Sequence, residues 1–145
     1  MASIDEIFEA YYSAKGMVKD VVERSSVDKC PNYVIIDRAA DELTKLGFML
    51  EKISGDERIL YRLKRLVREA IFELKNASKA AQRGDCAIAY SSAQRALANL
   101  DSMEPLLTML AEEAGAGHRW RIHGPWFAIL ALLGLGLAAV VLKKL

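Results

Sequence analysis

Apolar residues recur at helical spacing in four stretches of this chain, and then run unbroken in a fifth. In the first stretch Ile4, Phe8, Tyr11, Val18, Val21 and Val22 line one helical face, up to about Ser25. Ser3 followed by Glu6 is a capping box, which places a helix start at Ser3. Residues 27–32 break the pattern and contain Pro31. The second helix carries Ile36, Ala39, Leu43, Leu46, Leu50 and Ile53, and Ser54-Gly55 ends it. The third runs from Asp56 to about Arg83 through Leu60, Leu63, Val67, Ala70, Leu74, Ala77 and Ala81. Gly84 ends it, and Asp85 caps the fourth, which carries Ala89, Ala93, Ala96, Leu97 and Leu100. Pro105 interrupts or restarts that helix, which goes on through Leu106, Leu107, Met109 and Leu110. Short connections make neighbouring helices antiparallel. The predicted fold class is therefore all-α, an antiparallel up-down four-helix bundle without a sheet.

The fifth stretch is of another kind. From Trp126 and Phe127 to Leu142 the chain reads WFAILALLGLGLAAVVL, 17 residues without a charge or a strongly polar group. As a helix it spans roughly 25 Å, close to the lower limit for crossing a bilayer. Pro125 suits a first helical turn, and Trp120 and Trp126 suit a headgroup interface. Arg119 and Arg121 precede the run, while Lys143 and Lys144 follow it and extend its reach by snorkelling. A core helix of a small domain would keep a polar face, and this run has none. It reads as a single C-terminal transmembrane helix. Gly134, Gly136 and Ala138 are small, and Gly134-x-x-x-Ala138 is a spacing that lets two such helices approach and self-associate.

These readings divide the chain into a soluble bundle at 1–114, a flexible basic juxtamembrane linker at 115–124 and an anchor at 125–145. Asp5, Glu6 and Glu9 are incompatible with a secretory signal at the N-terminus. Only Lys143, Lys144 and Leu145 would have to cross the membrane. The expectation is a single-pass, tail-anchored protein with its N-terminal domain in the cytoplasm and the lipid bilayer as its first partner.

Charge adds one feature. The 145 residues carry a net charge of +1, so the chain as a whole gives no reason to expect nucleic-acid binding. The charge is unevenly placed: residues 55–84 are basic, and residues 1–28 and 85–117 are acidic. On the third helix Arg58, Arg62 and Arg65 share a face, with Lys64 and Arg68 adjacent and Tyr61 among them. Such a face suits an acidic protein partner or anionic lipid headgroups. RNA, with Tyr61 as a stacking ring, is less favoured. The plain alternative is a solvated face whose cations pair with acidic helices one and four inside the bundle.

Catalysis is not expected. His118 and His123 are the only histidines, both beside the apolar run, and two histidines make too small a ligand set for a metal site. No glycine-rich phosphate loop is present, and no serine has a histidine partner in the bundle, so neither cofactor nor catalytic residue is assigned. Cys30 precedes helix two and Cys86 opens helix four, at the same end of an up-down bundle. A reducing cytoplasm favours two ordinary thiols, and the shared end also permits a redox-sensitive bridge.

The Gly84-Asp85 turn with Ala89, Ala96 and Leu97 resembles the second half of a tetratricopeptide repeat. The resemblance covers one hairpin, and Glu73 and Ala77 stand where that family has an aromatic residue and a glycine. The layout is similar to that of tail-anchored helical adaptors such as mitochondrial fission receptors. The function expected is a protein-interaction module: an adaptor, receptor or accessory subunit. The competing readings are a small subunit of a larger membrane complex, favoured by a large exposed apolar patch, and a membrane-remodelling or pore-forming helical protein. Tyr11, Tyr12, Tyr33 and Tyr90 suit either such a patch or the rim of the core.

Overall fold

The computed structural model describes residues 3–115. The apolar run with Trp126, Phe127, Gly134, Gly136, Ala138, Lys143 and Lys144, and both histidines, lie outside the described residues. Among those described, no helix is long and apolar enough to cross a membrane. They form four helices and no strand: α1 Ile4–Glu23, α2 Tyr33–Lys52, α3 Glu57–Gln82 and α4 Cys86–Gly115.

The helix ends follow from local chemistry. Ser3 and Glu6 form the capping box, each side chain accepting the other's backbone N–H. The side-chain oxygens of Asn32 and Asp56 accept from the first amides of α2 and α3. The Arg58 and Ile59 backbone N–H groups donate to the ionised Asp56 carboxylate, so it titrates below the usual value. After Gln82 the chain turns at Gly84, whose φ of +81° is left-handed. There Asp85 N–H donates to the Ala80 carbonyl at 2.8 Å and Gly84 N–H to Ala81 at 3.0 Å, the two bonds of a Schellman turn.

Three sets of contacts fix the topology. α1 packs on α2 and α2 on α3. Lys64 Nζ of α3 meets Glu51 Oε1 of α2 at 3.3 Å, and Arg95 of α4 meets Glu73 of α3 at 3.2 Å. The ring closes where α4 returns to α1: the Tyr11 hydroxyl donates to the Leu100 carbonyl, and Lys15 pairs with Asp101 and Glu104. The four helices thus pack together as a bundle. The core described below lies within one compact unit, residues 1–111.

Two expectations need correction. α4 does not stop at Pro105; it is one helix with the proline inside it. The proline forfeits the bond its own N–H would give to the Asp101 carbonyl, and its ring crowds that carbonyl. Buried Leu100, Met103, Leu106 and Leu107 hold both sides of it against the core. Continuity also sets the phase, so the buried series is Ala96, Leu100, Met103, Leu107 and Leu110, and Met109 faces outward. In α1 the buried face is Ile7, Ala10, Tyr11, Ala14, Val18 and Val21. Ile4, Phe8 and Val22 are only half-buried at its edge. The buried stripe therefore alternates small Ala10 and Ala14 with large Ile7 and Tyr11, and Ile4, Phe8 and Val22 cover its margin. In α2 and α3 the expected positions are buried, except for Ile53 and Ala81, which sit at the rim.

Candidate docking face on α3

α3 carries seven bases against three acids. Of the residues singled out on this helix, Arg58, Tyr61, Arg62, Arg65 and Arg68 are exposed. Lys64 is not part of that set. It is half-buried against α2 and spent on Glu51. The row continues past Arg68 through exposed Phe72, Lys75 and Lys79. Tyr61, Arg65, Arg68, Phe72, Lys75 and Lys79 alternate at four and three residues, so one outward stripe runs for roughly 27 Å. That spacing was the available signal for Phe72, and it is visible once Lys64 is removed from the series. Tyr61 is 61% and Phe72 63% exposed, which is unusual for aromatic rings in a folded domain.

The exposed cations of α3 do not pair with helices α1 and α4. Arg65 lies 3.8 Å from Glu69 and Arg58 3.7 Å from Asp56, both long pairs within the α3 segment itself. Such pairs are worth little in water. Arg62, Arg68, Lys75 and Lys79 form no ion pair among the described residues. The competing view, in which acidic α1 and α4 neutralise this face, is not what the bundle does. Two of α4's acids are turned to α1 instead, where Lys15 lies 3.0 Å from Glu104 and 3.2 Å from Asp101.

That seam is the densest titratable cluster in the bundle. Glu104 also accepts from the Tyr12 hydroxyl at 2.9 Å, and the Lys15 ammonium sits 5.7 Å from the centre of the Tyr11 ring. Burial pushes the Tyr12 hydroxyl up to about 12, with the Glu104 hydrogen bond adding to the rise. For Lys15, burial works against the charge, but hydrogen bonds to Glu104 and Asp101 outweigh it and raise its pKa. For Glu104, burial would raise the pKa, and the hydrogen bonds from Lys15 and Tyr12 outweigh that and lower it. The signs give a pH window. The Glu104 contribution is full above the ordinary value of 4.5 and is lost as pH falls through the lowered one. The Lys15 contribution is full below 10.5 and fades only as pH rises through its raised value. Glu104→Gln is therefore expected to cost about 1 kcal/mol at neutral pH. The gap to the parent should close in acid, as urea unfolding at about pH 7 and about pH 3 will measure. An equal gap at both would mean that the charge contributes nothing.

Cys30 and Cys86 are joined as a disulfide, with their Cα atoms 4.3 Å apart. The expectation of two ordinary thiols gives way to the bridge, which the shared end of the bundle made possible. Of the two places open to the tyrosines, a shared apolar patch or the rim of the core, the patch is not formed. Tyr11 is fully buried, Tyr12 is tied to Glu104, and Tyr33 and Tyr90 lie on different helices at the surface and at its rim. Glu73, where a tetratricopeptide repeat has an aromatic residue, is the partner of Arg95. Among the described residues no group of three or more His, Cys, Asp or Glu side chains is placed to hold a metal ion. Comparison with known proteins finds no matching family model, no matching curated protein and no matching solved structure.

Proposed function

We propose that this chain is a membrane-tethered interaction module: an adaptor, receptor or accessory subunit. A helical bundle is held at a membrane by the apolar run Trp126–Leu142 and acts by recognition. One observation carries the reading. The outer face of α3 presents exposed cations that the bundle leaves largely uncompensated, interleaved with exposed rings. Replacing these groups by neutral polar residues would cost little if the bundle were only a spacer, whereas a docking face needs them outward and unpaired. The tether contributes location and a high effective concentration for whatever the face meets. With the bundle on the cytoplasmic side, the Cys30–Cys86 bridge is redox-dependent, because a reducing compartment opens it.

The reading as one subunit of a larger membrane complex draws its support from a different set of side chains than the tyrosines first considered. Phe48, Tyr61 and Phe72 are the most exposed aromatic residues of the bundle. Affinity capture of the full chain in mild detergent tests the proposal. An anionic partner, whether protein or lipid, should co-purify with the parent. It should fall at least tenfold in the Arg62→Glu, Arg65→Glu, Arg68→Glu variant, about fivefold per cation lost being the usual scale. The same partners in the same amounts from both chains would remove α3 as the recognition face.

A further inference from the structure

The Glu51–Lys64 pair marks the seam between α2 and α3, and Gly47 faces the same seam, a Cβ there lying 3.7 Å from Val67. Phe48, three residues before Glu51, sits on the outer bank of that seam and is 65% exposed. On the other bank Tyr61 and Arg68 flank Lys64 one turn to either side, and Phe72 lies one turn beyond Arg68. The three most exposed rings of the bundle thus belong to one outward face across two neighbouring helices. Arg65, Arg68, Lys75 and Lys79 stand between and beyond them.

We infer that this α2–α3 face docks on an anionic lipid surface, the cations meeting headgroups and the three rings entering the interfacial layer. The inference rests on the tethered-module reading and names the partner of its face. Three features select lipid over a protein or RNA. The rings are separated by charges, whereas the centre of a stable protein interface is depleted of charge and closely packed. A net charge of +1 gives weak attraction to a polyanion as a whole, while a locally basic face feels the surface potential of a membrane within a Debye length. Cations interleaved with aromatic residues on one face are also what an interfacial helix needs, since rings prefer the headgroup level. The tether permits the pose: the ten residues from Gly115 to Gly124 reach at most about 35 Å when extended.

The test uses the full chain reconstituted in vesicles of phosphatidylcholine alone or with about one-third phosphatidylserine. The two native cysteines are bridged, so Phe72→Cys supplies a single free thiol for an environment-sensitive fluorophore. Glu9→Cys on α1 is the control, and Phe48→Cys is a second probe should the first variant fold poorly. Quenching by headgroup-labelled lipid should be several-fold stronger at position 72 when phosphatidylserine is present. It should be lost in high salt or with Arg65→Glu, Arg68→Glu, and absent at position 9. Equal quenching in both lipids, or none, overturns the docking. So does capture of an acidic protein or RNA through the same arginines without lipid-dependent quenching. Alkaline washing of the same vesicles separates the two claims. A chain that is stripped by the wash but quenched at neutral pH sinks the tether and keeps the docking face. A chain that resists washing without quenching does the reverse.

Discussion

Opening the Cys30–Cys86 bridge is expected to lower the unfolding free energy of the bundle by about 4 kcal/mol at 25 °C. The bridge ties residues 56 apart in sequence and encloses the whole of α2 and α3 in a covalent loop. Without it the unfolded chain regains the freedom of that loop, and the cost of closing a loop grows with the logarithm of its length. For a domain of this size the loss corresponds to a fall in melting temperature of roughly 15 °C. The bridge also fixes the first connection to the turn before α4. Local contacts at that end, including the Ser26–Lys29 turn, should therefore loosen first. Thermal unfolding with and without reductant measures the effect, with the Cys30→Ser, Cys86→Ser variant as a chain that reductant cannot change. Identical midpoints for oxidised and reduced parent would mean that the bridge leaves the folded state no more stable.

Tyr11→Ala is expected to cost about 4 kcal/mol, more than most core truncations in a bundle of this size. Its ring is 0% exposed at the closure of α1 on α4, so truncation leaves a cavity among rigid helices. Its hydroxyl donates to the Leu100 carbonyl, five residues before Pro105. Lys15 lies over its face, and that lysine is the one cation shared by Asp101 and Glu104. The substitution therefore removes apolar burial, a buried hydrogen bond and the support beneath the charged seam together. Tyr11→Phe separates these contributions: it keeps the ring and should cost about 1 kcal/mol. Urea unfolding of the two variants measures both. If Tyr11→Phe costs as much as Tyr11→Ala, the hydroxyl rather than ring packing closes the bundle.

The helices were legible in the sequence because their signals are local. Ser3 with Glu6, and Gly84 with Asp85, act within a turn, and the leucines of α2 and α3 repeat strongly enough to fix the buried face. In α1 the signal was weaker. Ala10 and Ala14 are too small to outweigh Phe8 and Val22 in a count of apolar residues, yet they are buried and Phe8 and Val22 only partly so. Pro105 misled because a helix interior normally rejects proline, and only tertiary packing on both sides shows that the cost is borne. On the candidate face, charge density pointed to Arg58, Arg62, Arg65 and Arg68. It could not tell that Lys64 is spent on Glu51, a contact made between two helices. Nor could it join Phe48 to Tyr61 and Phe72, since their common face exists only after α2 has packed on α3. The meeting of Cys30 and Cys86 was foreseeable from topology, whereas its covalent outcome was not, because spacing does not report the distance between two thiols.

The charge arrangement gives the bundle two electrically different sides. The α1–α4 seam is self-contained, with Lys15 holding two α4 acids. The α3 side has no such internal partner for Arg62, Arg68, Lys75 or Lys79 among the described residues. An adaptor tethered at a surface needs that asymmetry, because one side must prefer the surface or the partner over water while the rest of the bundle stays solvated.

Alkaline extraction of membranes from cells expressing the full chain tests the tether most directly. The parent is compared with a variant carrying Leu132→Arg and Leu135→Arg. Each arginine at the centre of a span costs about 3 kcal/mol on insertion. A tethered parent stays in the membrane pellet, and the variant is released to the supernatant. Release of the parent under the same wash would contradict the tether.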